Sequence, residues 1–336
     1  MLNGNQTWIF SNKPTIISTG VVGGPFEKAG KIKADFDYFF DDQWCNETSF
    51  EKAHTALIEK ASDFAVSKAS IAHSDINFFL HGDLINQITP SSFAAKKLNI
   101  PYLGLFSACA TSMEGLAIGA MLINSESANY VMTGAASHNS AVEKQFRYPT
   151  EYGSQKPNTS QWTATGAGLA ILSKNGKGPK ITSATIGKVI DYDLHDPFHM
   201  GAAMAPAAAD TISTHLKERN IKPSDYDLII TGDLAYYGRE LCLSLLEEMN
   251  ISIPQEKFLD CGLELYSSSQ PTMAGGSGSA CSALVTYGHF INKIKNKELN
   301  KILVVATGAL LSPLTVQQKQ SIPCIAHAVS IENGEV

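Results

Sequence analysis

The chain is short of arginine, of charge in general, and of any long uninterrupted apolar run. Arg147, Arg219 and Arg239 are the only arginines among 336 residues, and the formal net charge is −6. That balance argues against nucleic acid as a partner, because phosphate recognition needs clustered Lys and Arg. The longest apolar stretch, Ile302 to Val316, contains Ser312 and Pro313 and falls short of the roughly 18 residues that a membrane span needs. The first basic residue is Lys13 and no apolar core follows a charged start, so no secretory leader is expected. Cys45, Cys109, Cys242, Cys261, Cys281 and Cys324 form no Cys-x-x-Cys pair and no Cys/His metal spacing. No metal or cofactor is therefore expected, and the thiols read as reduced, mostly buried small hydrophobes.

What the chain has in quantity is apolar material. Hydrophobic residues make up 44% and charged residues 17%, enough for a large core and too little charge for disorder. The length points to two packed units.

Those units are two copies of one pattern. Residues 74–84 read SDINFFLHGDL and residues 224–234 read SDYDLIITGDL, with five of eleven positions identical. Fewer than one match is expected by chance at roughly 6% usage per residue type. A helical stripe precedes each window: Ala53, Leu57, Ala61 and Ala65 within Ser49–Ile71, then Ala209, Ile212 and Leu216 within Ala205–Ile221. Ser49 with Lys52 reads as an incomplete cap. Buried-strand runs, Asn77–Leu80 and Asp227–Ile230, lead into the two Gly-Asp-Leu triplets. Downstream, Ser107-Ala108-Cys109 opens a helical pattern over Met113–Ile123, and Ser279-Ala280-Cys281 opens another over Ala283–Ile291. Each is followed by a strand ending in Thr-Gly-Ala, at Thr133 and at Thr307. The expected order in each half is strand, helix, strand, strand, helix, strand, with Ile16–Thr19 and Ile181–Ala184 opening the halves. The division falls into 1–175 and 176–336. Strands flanked by helices imply an α/β fold with sheets covered on both faces.

Cys109 sits where the strand Tyr102–Phe106 runs into a helix. A thiol there feels the positive end of the helix dipole, which favours thiolate, and the free N–H groups can hold an oxyanion or a carboxylate. The plain alternative is a buried structural cysteine. His138 follows the strand ending at Thr133-Gly134-Ala135 and faces Cys109 if strand ends converge; otherwise it is a polar loop residue. The segment Glu143–Pro157 lacks periodicity yet combines aromatics with cations, as binding segments do. Within it Arg147 and Lys156 are candidate carboxylate donors, and Tyr148 and Tyr152 candidate aromatic walls. Asp83 and Asp233, one from each half, read as acids sharing a structural job at a strand end. His195 and His199 have helical metal spacing, but Pro197 lies between them, so they read as loop residues. Gly275-Gly276-Ser277-Gly278-Ser279 lacks the Lys of a phosphate-binding loop and reads as a close-packed helix start.

The doubled half, the Ala108-Cys109-Ala110-Thr111-Ser112 turn and the late Gly-rich helix start resemble the thiolase and ketoacyl-synthase superfamily. Gln145–Gly153, Asp196-Pro197-Phe198, Met204–Thr211 and Ala306–Pro313 carry a narrower resemblance, to the family of stage V sporulation AD proteins of spore-forming bacteria. The resemblance implies a five-layer αβαβα fold of two pseudo-repeated halves, with Cys109 at the nucleophile position, and a homodimer formed through the first half's sheet edge. It also implies a role in binding dipicolinic acid (pyridine-2,6-dicarboxylate), with or without calcium, for uptake into the developing spore. The expected place is peripheral, on the cytoplasmic side of the forespore inner membrane, beside membrane transport subunits of the same system. Cys109, His138, Arg147, Tyr148, Tyr152 and Lys156 are the expected ligand-binding set.

The sequence departs from the superfamily's enzymes. Their histidine before the second Gly-rich helix start has no counterpart, since no histidine lies between Asp260 and Tyr287. Thr231-Gly232-Asp233 stands where synthases often carry another histidine, and Ala306-Thr307-Gly308 where thiolases carry a second cysteine. General acid–base help is worth roughly 10²–10⁴-fold and one oxyanion donor roughly 10²–10³-fold, so little condensation activity is expected. The competing reading is an acyltransferase or condensing enzyme with Cys109 as acyl nucleophile and His138 as a relocated base.

Overall fold

The computed structural model describes residues 1–146 and 156–334. The first half runs β1 (Thr15–Gly23), α1 (Phe50–Ala69), β2 (Phe78–Gly82), α2 (Thr89–Leu98), β3 (Tyr102–Gly104), α3 (Thr111–Asn124), β4 (Tyr130–Ser137), α4 (Asn139–Phe146) and β5 (Gly166–Ser173). The second runs β6 (Lys180–Ile186), α5 (Met200–Arg219), β7 (Leu228–Thr231), α6 (Ala235–Glu248), β8 (Phe258–Asp260), α7 (Ser279–Leu284), β9 (Lys301–Ala309) and β10 (Cys324–Glu332).

Strand order states the repeat. The first sheet reads β1-β5-β4-β2-β3 and the second β6-β10-β9-β7-β8, joined edge to edge where Lys180 of β6 pairs with Thr15 of β1. Each β1/β5 and β6/β10 pair is antiparallel, and each has one register shift near its start, between Ile16 and Ser18 and between Ile181 and Ser183. The inner pairs β4/β2 and β9/β7 are parallel. A short N-terminal hairpin, Leu2–Asn3 with Thr7–Ile9, adds to β6.

Five layers follow from which faces are apolar. The α1 stripe of Ala53, Leu57, Ala61 and Ala65 is fully buried against the first sheet, and Ser49 accepts the Lys52 N–H as its cap. The α5 stripe covers the second sheet in the same way. Helices α3 and α7 lie back to back between the sheets, in one core with inner residues of both. Their polar contact is Ser112 Oγ to Ser282 Oγ at 2.6 Å. Gly168 of β5 makes the approach possible, since a Cβ there would press into the Ala283 backbone of α7.

The sequence reading missed α2, α4 and β5 in the first half, and α6 and β10 in the second; the segment read as irregular from Glu143 begins inside α4. It also started the second outer helix at Ala205, whereas α5 begins at Met200 and carries Pro206 inside it. The strand expected over Tyr102–Phe106 stops at Gly104, and the chain uses the next residues to turn. After α7 the helix widens into a π-type stretch, Val285–Phe290.

Candidate functional site

The Cys109 turn is held by its own side chains. Ala108 takes a left-handed conformation (φ 49°), an uncommon one for a residue with a Cβ. The Thr111 hydroxyl fastens it, accepting the Ser107 N–H at 3.1 Å and donating to the Ala108 carbonyl at 2.7 Å. Strand β9 presses from the other half. A Cβ on Gly308 would collide with the Ser107 carbonyl oxygen and lie 3.2 Å from the Cys109 nitrogen. The Cys109 turn is therefore a junction of the two halves.

The two Gly-Asp-Leu acids have different jobs. Asp83 fits the structural expectation: its carboxylate accepts from the Ile85 N–H (2.8 Å) and from the Ser91 N–H (2.9 Å) and hydroxyl, tying β2 to α2. Asp233 instead lies beside the Cys109 thiol, close enough for each group to shift the other. Its Oδ2 accepts from the Ser277 hydroxyl at 2.9 Å and the Gly278 N–H at 3.1 Å, and its Oδ1 from the Thr307 hydroxyl at 2.9 Å. The strand-capping job on that side falls to Asp260, which accepts from Leu234 and Ala235 N–H and from the Thr231 hydroxyl.

This arrangement corrects the thiolate expectation. Burial pushes the Cys109 thiol well above its ordinary pKa, and the Asp233 charge pushes it further; the donors at Gly278 and Ser277 only partly offset this. Asp233 is itself raised by burial, against the hydrogen bonds it accepts. Raised in this way, the thiol keeps its proton, and Cys109 is neutral. The helix dipole is outweighed because it acts on a group with no water around it and a carboxylate beside it.

Cys109 forms part of the wall of a cavity of about 750 Å³, within the usual range for small-molecule sites. Phe50, Phe106, Trp162 and Phe198 supply aromatic surface, and Lys144 and Lys156 supply positive charge. Lys156 pairs with Glu143 at 3.0 Å and lies 5.7 Å above the Trp162 ring. Lys144 pairs with Glu51 at 3.0 Å. Ser277 and Gly278 reach the cavity beside Cys109, so the Gly-rich helix start that read as packing alone is also part of the wall.

The expected ligand-binding set is only partly assembled. Cys109 and Lys156 share the cavity. His138 does not line it. Its Nε2–H donates to the Gln43 carbonyl at 2.7 Å and its Nδ1 takes the Ala141 N–H at 3.4 Å, with the ring stacked on Phe50. Burial lowers its pKa to about 4, against the Gln43 contact. Both ring nitrogens are committed, so His138 is not the relocated base. Arg147, Tyr148 and Tyr152 lie outside the described residues. His195 stays in an exposed loop and His199 precedes α5; among the described residues no group of three or more His, Cys, Asp or Glu can hold a metal ion. No described helix is long and apolar enough to cross a membrane.

Comparison with known proteins then decides the family. The family model for Stage V sporulation protein AD matches residues 4–332. Stage V sporulation protein AD of Bacillus subtilis (strain 168) is 46% identical over 333 residues, covering 99% of this chain and 98% of its own. The chain belongs to the stage V sporulation protein AD family. Solved structures show how widely that family's fold is shared. Cerulenin-bound OleA of Xanthomonas campestri matches with a TM-score of 0.64 and 11% identity, over 97% of this chain and all of its own. Human mitochondrial 3-ketoacyl-CoA thiolase matches at 0.59 and 12%, over 96% and 99%. The 3-oxoacyl-[acyl-carrier-protein] synthase III of Aquifex aeolicus VF5 matches at 0.58 and 15%, over 95% and 99%. At these identities the likeness is one of fold, and it fixes this sporulation AD protein as thiolase-like.

Proposed function

We propose that this sporulation protein holds dipicolinic acid in the Cys109 cavity, as free acid or calcium chelate, for uptake into the developing spore, and does not transform it. The observation that carries the proposal is the closed Cys109–Asp233 pair. A nucleophilic cysteine needs a base that takes its proton and a neighbourhood that tolerates the thiolate. Here the neighbour is a buried carboxylate whose oxygens already accept from Ser277, Gly278 and Thr307, and no described histidine lines the cavity. That setting disfavours the acyltransferase reading.

The same cavity suits a flat aromatic dianion. Trp162 and Phe50 give faces for the ring, and Lys156 and Lys144 give charged donors for its two carboxylates. Lys156 exchanges Glu143 for the ligand on binding, so the site is charge-balanced when empty. The protein works peripherally at the cytoplasmic face of the forespore inner membrane, with the transport subunits as partners. It pairs as a homodimer through β3, the outer strand of the first sheet, where Leu103 is exposed.

Equilibrium dialysis against dipicolinate, with and without calcium, tests this: saturable binding of one ligand per chain is expected, and none at millimolar ligand overturns it. Intact-mass measurement after incubation with acyl-CoA is expected to show no adduct. A stable adduct that disappears in Cys109→Ser restores the enzyme reading.

A further inference from the structure

A second cavity, of about 360 Å³, shares no lining residue with the first. Its chemistry is different. Glu114 of α3 lines it, and the Oε2 of that carboxylate is buried with no hydrogen-bond partner. The neighbouring imidazole cannot supply one. His327 takes the Gly187 N–H on Nδ1 at 3.3 Å, which leaves the proton on Nε2, directed to the Ser107 hydroxyl at 3.3 Å. Burial keeps that ring neutral, with a pKa lowered to about 4. Burial also raises Glu114, and the Ser107 hydroxyl offsets part of the rise. The Oε2 atom itself therefore has no donor in the protein, and it lies in a wall that the apolar Trp8, Ile118 and Ile186 share with the polar Asn5, Gln6 and Lys188.

We propose that this cavity binds a small primary ammonium compound with a short apolar stem, its –NH₃⁺ on Glu114 and its stem against Trp8 and Ile118. The aromatic face adds a cation–π contribution. Exposed Lys188 forms part of the lining and repels a second positive charge, so monoamines are preferred to diamines. The site is independent of the dipicolinate reading, because it uses none of the first cavity's residues.

The test is ligand-observed saturation-transfer NMR on the full chain, titrated with n-butylammonium chloride and, separately, n-butanol. Binding of the ammonium and not of the alcohol is expected. Glu114→Gln, nearly isosteric, should weaken binding roughly tenfold or more, the worth of a charge-assisted hydrogen bond. Lys188→Glu, on the surface and harmless to the fold, should tighten it several-fold. Equal signals from the alcohol, or an unchanged affinity in Glu114→Gln, would overturn the assignment. If Glu114→Gln does not fold, Lys188→Glu decides: affinity unchanged or weaker refutes the site.

Discussion

Replacing Asp233 by asparagine separates the two influences on Cys109. The carboxylate contributes through its charge and as an acceptor for the thiol, on top of burial. Asp233 is itself raised by burial and carries less than a full charge over part of the range. Asp233→Asn should therefore lower the Cys109 pKa, because the charge that disfavours the thiolate is gone. Burial keeps it above an exposed thiol. The fold should tolerate the change. The new amide oxygen can still accept from Ser277 and Gly278, and the amide nitrogen can donate to the Thr307 hydroxyl, which turns to accept. The loss should be about 1 kcal/mol. The assay is the pH profile of iodoacetamide alkylation at Cys109, read by peptide mass spectrometry, with buried Cys281 as the internal reference. An identical profile in wild type and variant rules out the charge effect of Asp233, and a wild-type midpoint below that of an ordinary thiol rules out the neutral cysteine.

Two further predictions concern the frame around the site. Gly308→Ala puts a methyl group into the Ser107 carbonyl and against the Ala110 and Cys109 nitrogens, at 3.1 and 3.2 Å. Overpacking of this kind costs roughly 1–3 kcal/mol; a melting temperature unchanged from wild type contradicts the packing described. Buried Glu27, which accepts from the Tyr266 hydroxyl and the Thr165 N–H, has its pKa raised to about 7 by burial, against those hydrogen bonds. Between pH 4.5 and 7 the folded state keeps this proton and the unfolded chain releases it, so stability from this group is full below that window and lost as pH rises through it. The span is worth about 3 kcal/mol. Glu27→Gln should flatten the fall in urea-denaturation stability over that window, and an unaltered slope counts against the assignment. Buried His81 and His215, lowered to about 3 by burial, work in the opposite sense, their contribution being lost as pH falls below the ordinary histidine range.

What was legible in the sequence follows from range. The α1 stripe and the paired strands are local periodicities, and they emerged where expected. Helix α2 was not seen because it buries Pro90, Ser91, Ala94 and Ala95, a small and partly polar set with no apolar stripe. In α6 the buried set includes Gly238, which packs on Gly201 of α5. His138 was placed correctly at the end of β4, but its side chain packs beneath Phe50 of α1, a direction that a strand end does not specify. The Cys109–Asp233 pair joins residues from different halves, and no pattern within either half encodes it. The repeat itself was the available signal: one Gly-Asp-Leu acid meets the Ser91 of its own half, and the other meets Ser277 and Thr307 beside the Cys109 turn. Three of the runs that carried the narrower resemblance converge, since Pro197, Phe198, Met204, Ala309 and Leu311 all line the Cys109 cavity; the fourth, Gln145–Gly153, lies mostly outside the described residues.

A pocket that holds its ligand without reacting with it is best probed by calorimetric titration of dipicolinate into wild type, Cys109→Ala and Lys156→Ala. Wild type should give saturable heat, and Cys109→Ala an affinity within a few-fold of it. Lys156→Ala, which removes a charged donor, should lose roughly tenfold or more. Binding lost with the cysteine and kept without the lysine would contradict a holding pocket.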